Sequence, residues 1–84
     1  SIAQAWYGNI AAEQAITASE LQVEAAEIAY EGAQEELSVG TRTTLDVLDQ
    51  EQQLLEARLG LVNARRDAYV ATHQLLRAMG DLSL

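Results

Sequence analysis

Residues 37–49 read Leu-Ser-Val-Gly-Thr-Arg-Thr-Thr-Leu-Asp-Val-Leu-Asp, and the fold turns on them. Gly40 lacks a Cβ, so it can take the left-handed conformation that ends a helix. Three residues on, Thr43-Thr44-Leu45-Asp46 has the form of a capping box, with Thr43 as N-cap and Asp46 at the third helical position. One helix stops and another starts within a few residues. The stretch predicts a sharp turn between two helices.

Outward from the turn, apolar residues keep a seven-residue period on both sides. Upstream, Ile2, Ile16, Val23, Tyr30 and Leu37 share one register, interrupted by Asn9, with Ala5, Ala12, Ser19, Ala26 and Ala33 beside them. Downstream, Leu48, Leu55, Val62, Tyr69 and Leu76 repeat the spacing without a break. A strict seven-residue repeat implies left-handed supercoiling. The registers mirror one another, pairing Leu37 with Leu48, Tyr30 with Leu55, Val23 with Val62 and Ile16 with Tyr69. The expected fold is therefore all-α: a single long antiparallel α-helical hairpin over 1–84, a coiled coil with helices at about 2–37 and 43–79 and a tip at 38–42. Each helix would be about 55 Å long at 1.5 Å per residue. Gly80 suits the end of the second helix. Asn9, facing Leu76 in this register, reads either as a register-setting polar layer or as a fraying end.

The second helix carries another apolar series: Val47, Leu54, Leu61, Ala68 and Leu75, flanked by Ala57, Ala64, Ala71 and Ala78. The row Glu51, Arg58, Arg65 and Thr72 separates it from the first. A helix apolar on two sides sits in a layer with neighbours on both. A four-helix bundle formed by dimerisation and a ring or barrel of hairpins both satisfy this. The remaining face, from Asp46 and Asp49 to Asp67 and Gln74, is hydrophilic and mainly acidic. It is either a solvated face or one that lines water inside a tube.

Composition narrows the function. The 84 residues hold no proline, fifteen alanines and twelve leucines, which favours helix nearly throughout. The net charge of −8 would repel phosphate, so a nucleic-acid partner is not expected. Acidity without lysine also disfavours a membrane-surface role. Cysteine is absent, which removes disulfides and thiolate metal sites. His73 stands alone, so no metal site is expected, and no cofactor. Trp6, Tyr30 and Tyr69 fall on or beside the main seam and read as core. No nucleophile–base pair or phosphate loop occurs, so the chain does not read as an enzyme. No apolar run approaches the roughly 20 residues of a spanning helix. There is no initiating methionine or signal peptide, and the chain reads as a piece of something larger.

The tip segment from Ser38 to Asp49, with the returning stretch Leu54 to Gly80 that contains Asn63-Ala64-Arg65 and Ala78-Met79-Gly80, resembles the TolC family of outer-membrane efflux and secretion ducts. It is similar to the second of the two hairpin tips in that family's repeated chain, and the resemblance is weakest over residues 1–20. The resemblance implies a trimer with an outer-membrane β-barrel and a periplasmic α-barrel of such hairpins. This chain would be the periplasmic entrance end of that α-barrel, with the membrane-spanning part elsewhere. The duct would meet an inner-membrane transporter indirectly, through the hairpin of a periplasmic adaptor (membrane fusion protein). Val39, Gly40 and Thr41 match the family's adaptor-binding tip. Asp46 and Asp49 match acidic positions at the constricted entrance, and Arg42 matches a residue whose ionic contacts keep it closed. Leu37 stands where a tyrosine contributes to the gate in the best-known member, so closure here would lean on Arg42 and packing. The runner-up reading is a self-contained coiled-coil scaffold that dimerises.

Overall fold

The computed structural model describes residues 2–82, which form two helices, α1 (Ile2–Ser38) and α2 (Thr44–Leu82). Glu27 with Arg58, and Asn9 with Thr72, meet across the pair, so the helices run antiparallel. The hairpin extends 67 Å and is only 13 by 12 Å in its other dimensions. At the far end α2 does not stop at Gly80 but continues to Leu82. One glycine costs a helix about 1 kcal/mol relative to alanine, which a long helix tolerates.

On α1 the seam lies where the heptads put it. Ala33 is buried, and Ala5, Ala12, Ile16, Val23, Ala26, Tyr30 and Leu37 are half-buried. On α2 the seam is the other series. Val47, Leu54, Ala57 and Ala64 are buried, and Leu61, Ala68, Ala71, Leu75 and Ala78 are half-buried. Leu48, Leu55, Val62, Tyr69 and Leu76 are all exposed. The expected pairing of Leu37 with Leu48 and of Tyr30 with Leu55 across the seam is therefore corrected: the α2 residues turned inward belong to the Val47 series.

The physical reason lies in the second column of the seam. A coiled coil buries two columns, three and four residues apart. The Val47 series brings in Ala57, Ala64, Ala71 and Ala78, whose small side chains alternate with its larger ones. The Leu48 series would instead draw Glu51, Arg58 and Arg65 inward. Burying those charges without partners costs far more than the leucines return. The seam with alanine companions wins.

Two aromatic expectations change as well. Tyr69 is 67% exposed and Trp6 is 56% exposed, so neither is core, whereas Tyr30 is half-buried. Tyr69 instead meets His73 edge-on, ring centroids 4.4 Å apart. Asn9 has a partner on the opposite helix, but it is Thr72 and not Leu76. The Thr72 hydroxyl reaches Asn9 Oδ1 at 3.1 Å, with the Ala68 carbonyl 3.0 Å away. Among the described residues no helix is long and apolar enough to cross a membrane.

Candidate functional site at the hairpin tip

The turn between the helices is built from backbone hydrogen bonds. Thr41 N donates to the Glu36 carbonyl at 2.8 Å, and Gly40 N donates to the Leu37 carbonyl at 3.1 Å. This nested pair is a Schellman closure of α1, which requires a left-handed residue at Gly40. Gly40 has φ 81°, the only positive φ among the described residues. A Cβ there would meet nothing within 4 Å, so the demand for glycine inside this chain is conformational and not steric. Val39, Gly40, Thr41 and Arg42 are all exposed at the end of the hairpin.

The start of α2 is capped reciprocally. Asp46 N donates to Thr43 Oγ1 at 3.2 Å, and Thr43 N donates to Asp46 Oδ2 at 3.1 Å. These bonds to Thr43, with a smaller contribution from Arg42, hold the Asp46 carboxyl below its ordinary range. The first carboxylate of the acidic row is therefore occupied in capping. Asp49 lies one turn further along the same flank, where its Oδ2 accepts a hydrogen bond from Gln53 Nε2 at 3.2 Å. Both aspartates are exposed.

Arg42 is turned back to α1. Its Nε donates to the Glu36 carboxylate, and that hydrogen bond and charge raise its pKa, with a lesser contribution from Asp46. Glu36 also binds the tip through its carbonyl, which accepts from both Thr41 N and Thr41 Oγ1, the latter at 3.0 Å. One residue thus holds the two positions after Gly40. Neither the heptad pattern nor the tip motif singles out Glu36. A signal existed: Glu35 and Glu36 lie in the last turn of α1, where the helix dipole disfavours negative charge and no basic residue compensates. An arginine six positions on is the natural counter-charge.

Below the tip an open groove of about 720 Å³ runs between the helices, lined among others by Tyr30, Leu48 and Leu55 and rimmed by Glu27, Glu31 and Glu51. Arg58 and Glu27 span it at 3.6 Å, both largely solvated. Among the described residues no cluster of side chains is suited to hold a metal ion.

The profile of a family described as outer membrane efflux protein matches residues 1–81. The chain is 39% identical over 83 residues to outer membrane efflux protein BepC of Brucella suis biovar 1, covering 99% of this chain and 18% of that protein. It is 41% identical over 81 residues to outer membrane protein TolC of Vibrio cholerae serotype O1, covering 95% of this chain and again 18% of the relative. The chain thus spans about a fifth of the length of these curated relatives. No solved structure matches it.

Proposed function

The chain belongs to the outer membrane efflux protein family, whose members are transport proteins and not enzymes, and on that premise we propose that it is the periplasmic entrance hairpin of an efflux or type I secretion duct. In this reading the hairpin is a length of wall in a trimeric α-barrel, in the periplasmic portion of an outer-membrane protein. Its tip docks the hairpin of a periplasmic adaptor, which links the duct to an inner-membrane transporter. The Asp46 and Asp49 carboxylates, repeated by symmetry, form acidic rings that favour cations at the entrance, and Arg42 gates it.

The observation that carries this reading is the Val39-Gly40-Thr41 turn. Its three residues lie exposed at the end of the hairpin, held in a conformation that glycine alone adopts freely. Support for the wall comes from the exposed Leu48-to-Leu76 series, an apolar edge that a neighbouring hairpin would cover. The same edge suits a self-contained dimerising scaffold, and family membership favours the wall.

Gly40→Trp in the full-length duct tests docking, with Gly40→Asn as control because asparagine tolerates the left-handed region. We expect the tryptophan to leave helicity nearly intact, since a Cβ at Gly40 meets nothing within 4 Å and the strain of a non-glycine residue at φ 81° falls on the turn and not on the helices, and to abolish adaptor capture in pull-down assays. Adaptor capture at the unmutated level with Gly40→Trp would remove tip docking.

A further inference from the structure

We infer that Glu36 is a positioning residue of the entrance: it holds Arg42 within its own tip and so competes with the contact through which Arg42 closes the duct. The inference rests on the entrance reading above and adds the regulation of its arginine.

Three observations carry it. The Glu36 carboxylate engages Arg42 directly, while the Glu36 carbonyl accepts two hydrogen bonds from Thr41. The backbone leading into Arg42 and the guanidinium at its end are therefore held by the same residue. Asp46 on α2 acts on Arg42 through charge alone, whereas Glu36 is the carboxylate that Arg42 hydrogen-bonds. Finally, the pair is solvated, with Arg42 and Glu36 side chains 42% and 47% exposed.

Solvation decides what such a pair can do. An exposed ion pair shifts an equilibrium by only about two- to five-fold, because water screens it and two long side chains must be ordered. A contact that weak is a poor structural brace and a good exchangeable partner. Arg42 leaves Glu36 at small cost when a better-placed acceptor is offered across the entrance, and returns when that acceptor withdraws. Glu36 then biases the entrance towards the open arrangement, and it acts solely through Arg42.

The test is the open probability of the full-length duct in planar bilayers, for Arg42→Gln, Glu36→Gln and the double variant. All three keep the Glu36 carbonyl and the turn at Gly40, so helix content by circular dichroism should not change. Arg42→Gln is expected to raise open probability. Glu36→Gln is expected to lower it roughly two- to five-fold, by freeing Arg42 for closure. The double variant should match Arg42→Gln alone, the signature of a residue that works through another. If Arg42→Gln opens the duct but Glu36→Gln leaves it unchanged or opens it too, the inference is overturned and the entrance reading stands. A double variant that differs from Arg42→Gln also overturns it. If Arg42→Gln itself has no effect, the gate assignment falls and the inference with it.

Discussion

Two apolar series run along α2 one residue apart, with the same period and nearly the same side chains, yet they meet opposite fates. Leu54 is 6% exposed and Leu55 is 52% exposed. Hydrophobicity of the series themselves does not separate them, since Leu48, Leu55, Val62, Tyr69 and Leu76 are if anything the bulkier set. Their companions do. Alanines escort the buried series, and Glu51, Arg58, Arg65 and Thr72 escort the exposed one. The lesson is that a coiled-coil seam is chosen by its second column, where one misplaced charge outweighs several leucines.

The largest effect should come from Leu54→Ala. Removing a buried leucine costs about 2–5 kcal/mol, and a thin hairpin cannot collapse around the void, so chemical denaturation followed by circular dichroism should show a large loss. Leu55→Ala in the same assay should stay within about 0.5 kcal/mol of the unmutated hairpin, as surface changes do. Equal losses for the two would break the comparison. A small effect of Leu55→Ala on the hairpin, joined to failed assembly of the full-length duct, would sharpen it into an inner seam for folding and an outer one for neighbours.

A change that touches neither series asks whether the tip depends on the shaft at all. Thr43→Ala removes the hydroxyl that accepts from Asp46 N, and should cost about 1 kcal/mol. The loss should appear as faster amide exchange confined to the first turn of α2, with the protection of the Leu54 and Leu61 region preserved.

The smallest effect is pH-dependent. Because folding lowers the Asp46 pKa, its contribution is fully present above the ordinary carboxylate range and is lost as pH falls through the lowered folded value. Stability of the unmutated chain and of Asp46→Asn, compared between roughly pH 6 and pH 2, should differ at the upper end and converge at the lower. A gap that persists unchanged at acid pH would mean that the carboxylate charge is not what caps α2.

Much of this molecule is legible in its sequence. Gly40 and the Thr43-to-Asp46 box announce the bend because helix capping is a matter of residues within six positions of each other. The α1 seam was legible too, since α1 offers one strong apolar stripe and its alternatives are alanine-rich. The site residues Val39 to Arg42, with Asp46 and Asp49, do lie together at one end of the hairpin.

What sequence alone determined, then, is two helices, their antiparallel return and the chemistry of the tip, all consequences of local backbone preference and period. Tertiary structure decided which face of α2 turns inward, and it joined Glu36 to Arg42. Two stripes 100° apart on one helix are equivalent until a partner helix demands that one of them exclude water. Likewise, an acid and a base six residues apart share no regular helical face, so only the geometry of the closed turn brings them into contact.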